Sequence, residues 1–157
     1  MSRFAPPQNY QQRSTQPKGR ARKAKVLFVC IGNAVRSQMA EAFARKYGSD
    51  LLEPQSAGLA PALFVAPLAV KVLEERGIEI GDQYSKGLGE VVGAFDVIVN
   101  ISGERLPHPF NLRARDWDVR DPFGGLEPGY LEAANRIETL VMALILELRE
   151  HPVLPST

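Results

Sequence analysis

The chain has a single cysteine among its 157 residues, and that scarcity excludes a good deal. No internal disulfide can form, and neither can a structural zinc site built on several thiolates. A lone thiol fits a reducing cytoplasm, which is the expected location. The two histidines, His108 and His151, have no metal-ligand spacing, so no metal or other cofactor is expected. Excess charge is missing as well: 19 basic and 18 acidic residues leave a net +1, which points away from nucleic acid. No apolar run approaches the roughly 20 residues of a membrane span, and no signal-peptide region opens the chain, so no membrane association is expected. What is present is ordinary for a globular domain: 45% hydrophobic and 24% charged residues, in a length that fits one domain with a full core.

Residues 1–24 hold Pro6, Pro7, Pro17 and the basic cluster Lys18, Arg20, Arg22 and Lys23, with almost no apolar periodicity. Such a segment cannot offset its ordering entropy, and a disordered basic tail is expected there. A domain is expected over residues 25–150, and a short tail over 151–157. Lys25–Val29 reads as a strand buried on both faces, because its apolar run is unbroken. A helix is expected over Ser37–Tyr47 and a strand over Leu51–Ala57, with Pro54 counting against it. Pro67 opens a second helix to Arg76, and Ile78–Ser85 has no periodic pattern. Further strands are expected at Ala94–Ile101 and Arg115–Val119. The last helix, Tyr130–Glu150, carries Leu131, Ala134, Ile137, Leu140, Val141, Leu144, Ile145 and Leu148 on its core face. Strands alternating with helices predict an α/β domain with a parallel sheet, whose ligands sit beyond the carboxyl ends of the strands.

Cys30 stands at such an end. The stretch from Val26 to Ser37 runs from an apolar strand through Cys30, Ile31, Gly32, Asn33, Ala34 and Val35 to Arg36 and Ser37, where a helical pattern begins. Loop N–H groups and a helix start make this an anion site, and the field that holds a phosphate also stabilises a thiolate at its rim. Five residues between thiol and guanidinium let both face one anion. Arg36 can then fork two phosphate oxygens, with the sulfur behind phosphorus for in-line attack. Gly32 is expected to supply a positive φ, Asn33 to brace the loop, and Ser37 to hydrogen-bond the sulfur or cap the helix. The alternative is a cysteine that only packs at a strand end. Asp121 sits in an Asp-Pro pair on a loop, where a carboxyl can protonate a leaving oxygen and later activate water. Asp116 and Asp118 are its competitors.

At these residues the sequence resembles the low-molecular-weight protein tyrosine phosphatase family, which shares its fold with thioredoxin-coupled arsenate reductases. Val29 to Asn33, with Arg36, Ser37 and Met39 to Glu41, is similar to the family's phosphate loop and first helix. Ser56, Ala57 and Gly58 resemble its second-strand signature. Ala69 and Val70 through Gly77 and Ile78 resemble its second helix, and Asp121 with Pro122 its general-acid loop. The resemblance covers about Lys25 to Arg149 and implies a three-layer sandwich around a four-stranded parallel sheet in order 2-1-3-4. It also implies hydrolysis through a cysteinyl-phosphate, with residues 31–37 around the phosphate. Ile31 and Phe123 stand where the family flanks its substrate cleft, although both are ordinary packing residues too.

Two departures bear on chemistry. Many family members carry a second cysteine where this chain has Val35, so a protective loop disulfide is impossible. The third strand runs through Asn100, Ile101 and Ser102 without sulfur, so the internal thiol relay of the arsenate reductases cannot operate. The expected activity is phosphomonoester hydrolysis on a phosphorylated protein or small phosphoester. The alternatives are arsenate reduction with an external small thiol and non-catalytic capture of phosphorylated ligands.

Overall fold

The computed structural model describes residues 22–91 and 93–155. Strand β1 (Ala24–Cys30) lies inside the sheet between β2 (Leu52–Gly58) and β3 (Val97–Asn100), and β4 (Ala114–Asp116) follows β3 at the far edge. The order is β2-β1-β3-β4 and every pairing is parallel, as expected. Side chains alternate along β1. Val26, Phe28 and Cys30 join a large cluster with Met39 and Phe43 of α1 (Arg36–Gly48), Val72 and Leu73 of α2 (Pro67–Glu74), and Ile137 and Val141 of α3 (Glu127–Glu150). Leu27 and Val29 join a smaller cluster with Ala57 and Leu106, packed by Leu88 and Phe110 from two short 3-10 turns. The central strand is therefore covered on both faces, which is why its run is unbroken. Phe28 and Phe43 are fully buried, each contributing about 1.5–3 kcal/mol.

Several boundaries differ from the sequence expectation. β4 ends at Asp116 rather than Val119, because its partner β3 ends at Asn100 and a strand cannot outrun the ladder it pairs with. β3 itself is confined to Val97–Asn100. α3 begins at Glu127, three residues before Tyr130, with Pro128 in the first turn, where a missing N–H costs nothing. Leu131 is 37% exposed rather than in the core, since it stands one position off the stripe that Tyr130, Ala134 and Ile137 define. Pro54 is accommodated because β2 is an edge strand.

At the amino edge, Ala24 is buried and belongs to β1. Arg22 forks the Asp96 carboxylate at 2.8 and 2.7 Å, and its N–H donates to Val153 O at 3.0 Å. Arg22, Lys23 and Ala24, expected in the 1–24 tail, are thus part of the described structure, and the rest of that tail, residues 1–21, lies outside the described residues. Among the described residues, no helix is long and apolar enough to cross a membrane, and no cluster of three or more His, Cys, Asp or Glu could hold a metal ion.

Candidate active site

The loop between β1 and α1 sits on the carboxyl edge of the sheet. Its outer side is tied to the 59–66 segment. Leu59 N–H donates to Cys30 O at 3.0 Å, Ala60 to Ile31 O at 2.8 Å, Ala62 to Gly32 O at 2.8 Å and Ala66 to Ala34 O at 2.9 Å. A trans peptide points its N–H opposite its C=O. The N–H groups of Ile31, Gly32, Asn33 and Val35 therefore turn the other way, as in an anion nest.

The positive φ of this loop belongs to Asn33, at 49°, and not to Gly32 as expected. A Cβ on Gly32 would meet nothing closer than 3.8 Å. Asn33 tolerates the left-handed conformation because its amide is bonded locally. Its Nδ2 donates to Ser37 Oγ at 2.7 Å, and its Oδ1 accepts the Lys86 N–H at 2.9 Å. The glycine this loop cannot do without is Gly58 at the end of β2. A Cβ there would lie 2.6 Å from Ile31 O, 2.8 Å from Asn33 N and 2.9 Å from Gly32 C, all backbone atoms. The sequence marked Gly58 only as part of a resemblance, and the requirement arises from a contact between two strand ends far apart in the chain.

Cys30 is 2% exposed, with Sγ 2.8 Å from Ser37 Oγ. The Arg36 side chain is nearly as buried. Its Nη1 donates to Ile101 O at 2.6 Å and Val119 O at 3.1 Å, and its Nη2 lies 3.3 Å from Asp121 Oδ2. Among the described residues its buried Nε has no hydrogen-bond partner, so one donor of the guanidinium is left over. A cavity of ≈ 180 Å³ is lined by Cys30, Ile31, Gly32, Ala34, Val35, Arg36, Asp121 and Phe123, together with Ala60 and Ala62, which no sequence signal marks. The side chains of Asn33 and Ser37 are fully buried and bonded to each other, while the Asn33 N–H belongs to the nest. Asp116 accepts from Asn100 Nδ2 at 3.0 Å and, like Asp118, does not line the thiol cavity. Larger hollows of ≈ 580 and ≈ 900 Å³ adjoin the site, but neither contains the thiol.

The sequence pattern of the low molecular weight phosphotyrosine protein phosphatases matches residues 25–153. The chain belongs to this family. Among curated relatives, an arsenate reductase of Shouchella clausii is 36% identical over 102 residues, 62% of this chain and 73% of the relative. Among solved structures, an arsenate reductase in the phosphate binding state superposes with a TM-score of 0.72 at 31% identity, covering 79% of this chain and 98% of the other. The YwlE arginine phosphatase from Geobacillus stearothermophilus superposes at 0.69 with 27% identity, covering 82% and 94%. The chain is thus a member of a catalytic family that includes phosphatases and arsenate reductases on one fold.

Proposed function

We propose that this chain hydrolyses phosphomonoesters, aryl phosphates of the phosphotyrosine type above all, through a phosphocysteine on Cys30. The observation that carries the reading is the convergence of Cys30, Arg36 and Asp121 on one cavity. The substrate phosphate sits in the loop, with the N–H groups and the Nε and Nη2 of Arg36 on its oxygens. The thiolate attacks phosphorus in line, the ester P–O bond breaks, and Asp121 gives the leaving oxygen its proton. Asp121 then takes a proton from water, which attacks the phosphocysteine and releases phosphate and thiolate. Asp121 is paired with Arg36, and an incoming dianion competes for the same guanidinium edge. Ile31 and Phe123 offer apolar walls to an aryl ring. Cys30→Ser abolishes turnover of phenyl phosphate in this reading, and acid-quenched wild-type enzyme carries phosphate on Cys30 by mass spectrometry. Retained turnover in Cys30→Ser sinks it.

A second reading is supported by the arsenate reductases among the relatives. Arsenate fits a site built for phosphate, and with one cysteine the arsenic adduct on Cys30 would be attacked by one external small thiol, releasing arsenite and a Cys30 mixed disulfide that a second thiol clears, so that two thiols become one disulfide as arsenate becomes arsenite. Arsenite release with glutathione-type thiols, measured beside aryl phosphate hydrolysis, separates the two. Tight phosphate binding without either turnover would leave a binding module. A cytoplasmic location, in which the lone thiol stays reduced, belongs to the same proposal.

A further inference from the structure

We infer that Gln38 and Gln83 are positioning residues for the Cys30 thiolate: with Asn33 and Ser37 they form a buried hydrogen-bond chain whose donors all point toward the sulfur. The inference rests on the reading of Cys30 as nucleophile. From the outer end, Gln83 Nε2 donates to Gln38 Oε1 at 2.8 Å and to Gln38 O at 3.2 Å. Gln38 Nε2 donates to Asn33 Oδ1 at 2.9 Å, and also reaches Asn33 O at 3.1 Å and Tyr84 O at 2.9 Å. Asn33 Nδ2 donates to Ser37 Oγ at 2.7 Å, and Ser37 Oγ is 2.8 Å from Cys30 Sγ.

The direction of the chain is dictated by its surroundings. The Lys86 backbone N–H can only donate, so the Asn33 atom it meets is oxygen and the NH₂ faces Ser37. The end of Gln38 that faces Asn33 O and Tyr84 O, two backbone carbonyls, must be its NH₂. The end of Gln83 that faces Gln38 O must be a donor for the same reason. Ser37 Oγ accepts from Asn33, and a thiolate is an acceptor only, so the hydroxyl proton goes to sulfur. A neutral thiol makes its own proton compete with that of Ser37 for one contact. Asn33, Ser37 and Gln38 are fully buried and Gln83 is 9% exposed, so water does not screen these dipoles. Amides that accept at one end and donate at the other polarise one another, and the sum favours negative charge at the far end of the chain.

The test is the pH dependence of Cys30 alkylation by iodoacetamide in the full chain, where one cysteine makes the reading unambiguous. Relative to wild type at about pH 6, Gln83→Met alkylates about threefold more slowly and Gln38→Met about tenfold more slowly, with both curves meeting the wild-type curve at about pH 9. Gln83→Glu, which places an acceptor and a negative charge where a donor stood, slows the reaction more than Gln83→Met. Profiles that superimpose on wild type, or that fall by one factor at every pH, reduce the two glutamines to a structural brace and overturn the inference. If Gln38→Met does not fold, Gln83→Met at the outer end decides. The nucleophile reading fails by a different observation, turnover surviving in Cys30→Ser. A wild-type Cys30 that resists alkylation at every pH overturns both.

Discussion

The Cys30–Ser37 loop and the Asp121–Leu126 loop meet over one cavity but are built on opposite plans. In the first, four carbonyls are tied to the 59–66 segment, Asn33 and Ser37 are fully buried, and Gly58 lies in backbone contact beneath. In the second, the Asp121 side chain is 44% exposed, and Phe123 and Leu126 are 62% and 82% exposed. Its own bonds are few: Phe123 N–H to Asp121 Oδ1 at 3.1 Å and Gly125 N–H to Pro122 O at 2.8 Å. On the proposed mechanism the first half holds the oxyanion and gains from being fixed before the substrate arrives, since it then reorganises little during reaction. On the same proposal the second half delivers a proton to leaving groups of different shape, which suits a solvent-exposed loop with Gly124 at a φ of 79°.

That contrast can be tested by substitutions of decreasing effect. Arg36→Lys keeps the charge but loses the fork, and kcat/KM for phenyl phosphate is expected to fall on the order of a hundredfold or more with the fold intact by circular dichroism. Asp121→Asn removes the proposed proton donor from the exposed half. Turnover of alkyl phosphates is expected to drop on the order of a hundredfold, and that of p-nitrophenyl phosphate much less, because its leaving group hardly needs a proton. Equal losses on both substrates would assign Asp121 a role other than acid. Gly58→Ala forces a methyl into the backbone of the rigid half and is expected to cost about 1–3 kcal/mol in urea unfolding, with activity falling in parallel.

The smallest expected effect lies far from both loops. The Arg22 guanidinium, helped by the Lys25 N–H, holds the Asp96 carboxyl below its ordinary 3.8. A carboxylate with a depressed folded value adds stability above its ordinary value and loses it as pH falls through the lower one. Asp96→Asn is therefore expected to lower Tm slightly at neutral pH. The gap to wild type closes in strong acid, and aryl phosphate turnover stays unchanged.

That Cys30 and Arg36 share one site was legible because the loop compresses strand end, nest and helix start into consecutive residues, from Cys30 to Ser37. Asp121 was legible because an Asp-Pro pair on a loop had a thiol site to serve. The chain order of helices and strands also fixed the sheet, through rules of parallel connection that need no side-chain detail. What stayed hidden depends on partners distant in sequence. Gln83 reaches Gln38 from 45 residues away, and nothing in the irregular 78–85 stretch marks it as a clamp. Nothing in the sequence singles out Gln38, and only its carbonyl partners explain why burial is tolerated. Gly32 was given the strained conformation by residue type alone, whereas Asn33 holds it because Lys86 and Ser37 bond its amide in place.

The meeting of Arg22 with Val153 has a practical side. Both lie at the amino edge of the sheet, a full strand length from Cys30. A short linker joining residues 22 and 153 would close the domain into a ring without approaching the cavity. The backbone could then be reopened at the exposed Gly103 turn, giving a permuted protein in which the same catalytic constellation is assembled in a new chain order.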